Sequence, residues 1–171
     1  MNGSDLLTAR LVLTPLTEQH AAGMFTLWSA PEVCKFSAAA QDLQGQPIHL
    51  PARSVEDSDK ILQFFMAYQR RALAIRWAML LRESNSFVGA AGFNSLGGVC
   101  ELAYHRHPDY WGRGLMAETC RAIMQWARDE VGANSFVAFI ESDNLPSLNL
   151  IQRLGFVGAD DFRHGARRFT R

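Results

Sequence analysis

The sequence lacks the features that mark several large classes of protein. Only Lys35 and Lys60 among its 17 basic residues are lysine, and the formal net charge is zero. A general nucleic-acid binder needs a basic surface, so this balance argues against that class. Apolar runs such as residues 77–81 fall far short of the ~20 residues of a membrane-spanning helix, and the first ten residues show no secretory leader pattern. We therefore expect a cytoplasmic protein with no nucleic-acid or membrane partner.

Cysteine is also scarce. Cys34, Cys100 and Cys120 are widely spaced and form no C-x-x-C pair, which argues against both a disulfide framework and a zinc site. His105 and His107 alternate on a predicted strand, but no third ligand follows at a recognisable spacing. We expect no metal, and the length predicts one domain over residues 1–171.

Hydrophobic patterning predicts a definite order of elements. A strand at residues 10–16 precedes a helix capped by Thr17, and Ser54 caps a second helix over residues 57–72. Three strand-like runs with short turns then predict an antiparallel meander, followed by a helix that stops at Gly132, another strand, a short helix and one or two closing strands. Residues 29–53 show no clear period, which suggests a binding loop.

The segment 107–118, HPDYWGRGLMAE, places two glycines at the start of a helix. The first turn of a helix carries unpaired N–H groups and the positive end of the helix dipole, so this loop suits a phosphate-bearing ligand. Gly112, Gly114 and Ala117 also match the dinucleotide fingerprint, with Glu141 as a ribose-binding acid. That oxidoreductase alternative is weak, because the loop follows an antiparallel meander and only thirty residues remain beyond Glu141.

Two motifs in order carry a family resemblance. YWGRGLMAE at residues 110–118 and NLPSLNLIQRLGF at residues 144–156, with the order of elements, resemble the GNAT superfamily of acetyl-CoA-dependent N-acetyltransferases. The opening residues 8–21 and ELAY at residues 101–104 are most similar to the ribosomal-protein-alanine acetyltransferase branch. The resemblance implies an α/β (α+β) fold, with a mixed, mostly antiparallel sheet of about six to seven strands, flanked by helices and splayed at the cofactor site.

The resemblance also implies acetyl-CoA as co-substrate, with no metal, and a primary amine as acceptor, on a small molecule or a protein N-terminus. The pantetheine arm would pair with the strand at Tyr104, His105 and Arg106, and Asn144 would bond the pantetheine or cap its own helix. The resemblance is also compatible with a homodimer. The pyrophosphate would lie on the backbone of Trp111, Gly112, Arg113, Gly114, Leu115 and Met116.

Attack on a thioester needs a neutral amine, so a base or a water relay helps. Glu101, in ELAY, is the first candidate, because burial would raise its pKa toward neutrality; it could instead only position a water or the acceptor. Glu141 is the second candidate. Many relatives protonate the leaving thiolate with a tyrosine where this chain has Ile151. Ser147 is the remaining donor, or else a helix cap.

The vacant tyrosine position supports one rival interpretation, a non-catalytic acyl-CoA-binding or regulatory module. The arginines at the end of the chain, in residues 162–171, suit a phosphate or an acidic partner, although a solvated strand face is the simpler interpretation.

Overall fold

The computed structural model describes residues 3–171, so the first two residues of the predicted domain lie outside the described part. The strands are β1 (Leu6–Leu7), β2 (Leu11–Pro15), β3 (Ala40–Gln41), β4 (Pro47–Ile48), β5 (Ile75–Leu81), β6 (Phe87–Ser95), β7 (Val99–Arg106), β8 (Ser135–Ile140), β9 (Val157–Arg163) and β10 (Ala166–Thr170). The helices are α1 (Ala21–Trp28), α2 (Pro31–Cys34), α3 (Val55–Arg70), α4 (Leu115–Trp126) and α5 (Leu145–Arg153).

The main sheet contains eight strands in the order β1-β2-β5-β6-β7-β8-β10-β9. Strands β7 and β8 run parallel, and every other pair in this sheet is antiparallel. The sheet is mixed and mostly antiparallel, as predicted, but it has eight strands, one more than the six to seven expected. The additional edge strand β1 spans two residues, too few for the sequence pattern to reveal.

Helices cover both faces of the sheet because the side chains of each strand alternate between two apolar clusters. Trp77 and Met79 of β5 face a cluster that includes Ile123 of α4 and Ile151 of α5. Ala78, between them, faces the other cluster, where α1 and α3 pack. The buried strands read as nearly continuous apolar runs for this reason.

The predicted helix boundaries rest on visible local contacts. The Ser54 hydroxyl accepts a hydrogen bond from the backbone N–H of Asp57 at the start of α3. Beyond α4 the chain makes one π-helical turn, Ala127–Val131, and Gly132 ends it with a left-handed φ of 71°. Residues 29–53 are more ordered than a plain loop, since they contain α2 and the β3–β4 hairpin.

Within residues 3–171, no helix has both the length and the apolar character that crossing a membrane requires.

Candidate active site

The parallel strands β7 and β8 diverge soon after they meet. Their ladder joins Val99 to Ser135, Cys100 to Phe136 and Glu101 to Val137, and it ends there. Beyond it, residues 102–106 of β7 have no β8 partner among the described residues. An unpaired strand edge presents N–H and C=O groups that can pair with an extended ligand. The opening therefore fits the pantetheine position that the sequence predicts, and Glu101 lies where it begins.

The glycine loop lies between the end of β7 and the start of α4. Gly112 and Gly114 adopt left-handed backbone conformations, with φ of 75° and 72°, which side chains other than glycine adopt at a cost. A Cβ at Gly112 would meet nothing within 4 Å, so the space above the loop is open.

Backbone donors line that open space. Within residues 3–171, no protein group accepts a hydrogen bond from the backbone N–H groups of residues 112–117. The loop thus offers N–H donors without acceptors at the positive end of α4, which is what binding a pyrophosphate without a metal requires.

Two side chains hold this loop in place. Arg10 Nη1 donates to the Arg113 carbonyl oxygen at 2.7 Å, and the same guanidinium forms an ion pair with Glu118 of α4. Trp111 Nε1 donates to the Arg106 carbonyl oxygen at 2.8 Å and so ties the loop to the end of β7. The Trp111 side chain thus has a structural role in the loop. The Arg10 contact was missed, because sequence patterns do not reveal pairs this far apart.

The side chains of Tyr104 and His105 lie on opposite faces of β7. Tyr104 packs against the α4 side, and its buried hydroxyl has no hydrogen-bond partner among the described residues. The His105 ring lies 4.6 Å from that of Trp28 on the α3 side. Burial, reinforced by the charge of Arg76, lowers the pKa of His105 to about 3, so this ring is neutral. Only the backbone of these residues can follow a ligand along the strand edge.

Glu101 lies in a charged network. Arg163, at the end of β9, donates to both carboxylate oxygens at 2.8 and 2.6 Å, and Asn94 Nδ2 donates to Glu101 Oε1 at 2.6 Å. Burial by itself would raise the pKa of Glu101, but these bonds and the charges of Arg163 and Arg76 outweigh it and lower that pKa. The expectation of a raised pKa is therefore wrong, because the sequence showed the burial and not the guanidinium groups.

Arg76 of β5 extends the network and was also missed. It is only 3% exposed, Nη2 donates to Asn94 Oδ1, and Nη1 donates to the Ile75 carbonyl oxygen at 3.4 Å. Burial lowers the pKa of Arg76 to about 10, and Glu101 opposes that shift. A lone arginine inside the apolar run of residues 75–81 was the signal available in the sequence, since buried charge in a strand needs a reason.

Helix α5 begins beside the opening. The Asn144 side chain caps it by accepting a hydrogen bond from the backbone N–H of Ser147 at 3.3 Å. The cap of α5 is therefore the Asn144 side chain, and the Ser147 hydroxyl does not supply it. Burial raises the pKa of the Tyr104 phenol, Cys120 adds to this, and Ser147 lies near enough to oppose it.

The other candidates lie apart from this centre. Glu141 follows β8 and is exposed to solvent, outside the network of Glu101. No three or more His, Cys, Asp or Glu side chains within residues 3–171 are placed to hold a metal ion. Among the terminal arginines, Arg167 and Arg168 form ion pairs with Asp160 and Asp161. Arg163 is exposed to solvent, in agreement with the solvated-face interpretation, and its guanidinium also forms an ion pair with Glu101.

The fold and these motifs define an acetyltransferase. Residues 10–157 match the model of the acetyltransferase (GNAT) domain, and the chain belongs to that family. Enzymes of this family are acyltransferases that take the acetyl group from acetyl-CoA. The mostly antiparallel sheet excludes the dinucleotide-binding alternative.

Several individual proteins are similar to this chain. YoaA, an N-acetyltransferase of Bacillus subtilis, is 25% identical over 154 residues, which cover 88% of this chain and 81% of YoaA. MnaT of Escherichia coli, an L-amino acid N-acyltransferase, is 35% identical over 108 residues, 59% of this chain and 60% of MnaT. The structure of RimL, a ribosomal L7/L12 alpha-N-protein acetyltransferase, in complex with coenzyme A superposes with a TM-score of 0.80 at 18% identity, covering 98% of this chain and 97% of RimL.

Proposed function

We propose that this chain transfers the acetyl group of acetyl-CoA to a primary amine, by direct attack in a ternary complex without a covalent enzyme intermediate. The observation that carries the proposal is the continuity of the site. The opening between β7 and β8 leads from Glu101 to a loop, residues 112–117, whose backbone N–H groups have no acceptor among the described residues.

The chain's own groups fit an acyl-CoA. The donors of residues 112–117 would bind the pyrophosphate, and the unpaired edge of β7 at Tyr104, His105 and Arg106 would pair with the pantetheine arm. Asn144 would act mainly through the start of α5, because its side chain already caps that helix. An acyl-CoA bound in this way would have its thioester near the end of the β7–β8 ladder, beside Glu101.

In the transfer, the amine nitrogen bonds to the thioester carbonyl carbon and the carbon–sulfur bond breaks. The ammonium group loses one proton to become the attacking amine and a second as the amide forms; the coenzyme A thiolate gains one proton, and the other passes to solvent. Glu101, whose lowered pKa keeps it ionised at neutral pH, would accept the amine proton directly or through a water. Because its pKa is low it is a weak base, so we favour the water relay. Ser147 or a water would protonate the thiolate.

The acceptor is either a small-molecule amine or a protein N-terminus. The similarity to MnaT supports the first class and the structural similarity to RimL the second, as their names state. One observation favours a second candidate function, a non-catalytic acyl-CoA-binding module. Ile151, where many relatives have the proton-donating tyrosine, is fully buried and cannot supply a proton.

A thiol-release assay over an amine panel tests the proposal. The purified chain is mixed with acetyl-CoA and, in turn, free amino acids, aryl-alkyl amines, polyamines and short peptides with free N-termini, and the acetylated products are identified by mass spectrometry. We expect thiol release that depends on one class of amine and yields its N-acetyl derivative. Tight binding of acetyl-CoA without release for any amine would contradict the proposal and favour the binding module.

A further inference from the structure

A small cavity opens beside the charged network, on the α3 side of the sheet. Its volume is about 220 Å³, below the ~300 to 1,000 Å³ of typical sites for drug-sized ligands. It therefore suits a small acceptor. It is lined by Phe64, Phe65, Tyr68, Ala74, Arg76 and Asn94.

Aromatic side chains of α3 form one wall of this cavity. The rings of Phe64 and Tyr68 are stacked with centroids 4.4 Å apart, and Phe65 meets Phe64 edge-on at 6.1 Å. The Arg76 guanidinium lies 4.9 Å from the centre of the Phe65 ring. Such a wall favours an apolar or aromatic group of a ligand, and the Arg76 guanidinium supplies a positive charge at one end of the wall.

The charge of the network is not balanced. It contains two guanidinium groups, Arg76 and Arg163, and one carboxylate, Glu101, which Arg163 engages with two hydrogen bonds. Within residues 3–171, no carboxylate forms an ion pair with Arg76. His105 is neutral and adds no charge. A buried guanidinium with unused donors and no ion-pair partner is a receptor for an anionic group.

We propose that the acceptor is an α-amino acid with an apolar side chain, which places its carboxylate on Arg76, its side chain against Phe64 and Tyr68, and its amine toward Glu101. The inference rests on the proposed function and names its substrate class. The spacing agrees, because one carboxamide, that of Asn94, bridges Arg76 and Glu101, and an α-amino acid separates its carboxylate and amine by a single carbon. The products are the N-acetyl amino acid and coenzyme A.

Matched acceptors that differ in one group test the inference. L-phenylalanine, L-phenylalaninamide and phenethylamine share the aromatic side chain, but only the first has a carboxylate. The amide has the less basic amine, so unassisted chemistry at neutral pH favours it. We expect kcat/KM for the acid to exceed that for the amide by about tenfold or more, because a hydrogen-bonded charge pair forms only with the acid.

Arg76→Gln should remove this preference. We expect it to lower kcat/KM for L-phenylalanine by about ten- to a hundredfold and to change the value for the amide little. Arg70→Gln, which removes an exposed charge from the end of α3, is the matched control and should change neither. Arg76→Lys keeps the charge without the two-pronged donor, so its kcat/KM for L-phenylalanine should lie between those of the parent and Arg76→Gln. If thermal melting shows that Arg76→Gln does not fold, the inference is tested by the parent alone, through its ratio of kcat/KM for L-phenylalanine to kcat/KM for L-phenylalaninamide.

The outcomes separate the two proposals. Acetylation of the amide or of phenethylamine at least as fast as the acid would overturn the amino-acid inference and leave amine acetylation standing. An equal loss for acid and amide in folded Arg76→Gln would overturn the role of Arg76. If acetyl-CoA binds and none of the amines in the wider panel is acetylated, both proposals fail.

Discussion

Arg10 and Glu118, 108 residues apart in the chain, form a two-pronged contact at the base of the glycine loop. The backbone N–H and the Nε of Arg10 each donate to a different Glu118 carboxylate oxygen, both at 2.8 Å. The guanidinium also reaches the Arg113 carbonyl oxygen at 2.7 Å. One side chain thus ties the residue before β2 to the first turn of α4 and to the loop between them.

Arg10→Gln should weaken acetyl-CoA binding although Arg10 need not touch the ligand. The contact is half-exposed, so its loss should change stability only slightly, while the loop becomes less ordered. We expect the Kd measured by calorimetry to rise by about three- to tenfold, because the bond from Nη1 to the Arg113 carbonyl oxygen no longer orders the loop. Arg121→Gln, an exposed arginine on the same helix, is the control. An unchanged Kd for Arg10→Gln would show that the loop keeps its binding conformation without Arg10, and would contradict this prediction.

Glu101→Gln should lower kcat and leave the affinity for acetyl-CoA nearly unchanged, because the carboxylate lies at the end of the β7–β8 ladder and outside the loop of residues 112–117. The loss should shrink as the pH rises toward the pKa of the amine, where deprotonation needs no help. Steady-state kinetics from pH 6 to pH 10 check this. A loss that is the same at every pH would instead indicate a positioning role.

Arg163→Gln should change the acid stability of the protein. The folded-state pKa of Glu101 is lowered, with burial opposing and Arg163 and Asn94 dominating, so its ionised form stabilises the fold above the unfolded pKa of ~4.3. That stability is lost as the pH falls through the folded pKa. Without Arg163 we expect a smaller fall in melting temperature between pH 6 and pH 3. Arg168→Gln, which breaks a surface ion pair on the neighbouring strand, should keep the parent's pH profile, and the same profile for both variants would contradict the assignment.

Asn144→Ala and Ser147→Ala should have opposite signatures. Asn144 supplies the cap of α5, so its loss should cost about 1 kcal/mol of stability. Ser147 does not supply that cap, so Ser147→Ala should melt almost like the parent and lower kcat by about tenfold or more if its hydroxyl protonates the thiolate. Thermal unfolding and turnover, measured on the same preparations, separate the two. Normal turnover for Ser147→Ala would assign the proton to water.

The sequence predicted what local patterns determine. Alternation identified the meander, the glycines identified the loop, and Ser54 identified a helix start, because each signal lies within a few residues of its consequence. The Glu101 candidate also came from its place on a strand. What surrounds Glu101 could not be predicted, because Asn94 and Arg163 come from distant parts of the chain.

The missed charges also explain the one wrong expectation at the centre of the site. Glu101 is only partly buried, and the direction of its pKa shift depends on which neighbours compete with that burial. Arg163 looked like one more surface arginine in a basic terminal segment. Only the arrangement of the final strands places it over the Phe139 ring and within reach of Glu101.

Acetyl-CoA titrated calorimetrically into Gly112→Ala and Gly132→Ala tests the assigned cofactor loop most directly. Both glycines have nearly the same left-handed φ, 75° and 71°, and a Cβ at either would meet nothing within 4 Å, so the strain of ~1 to 2 kcal/mol is matched. Only Gly112 lies in the loop whose N–H groups would bind the pyrophosphate. We expect one-to-one binding for the parent and for Gly132→Ala, and binding at least about tenfold weaker for Gly112→Ala. Equal affinities for the two variants would contradict the assignment of this loop.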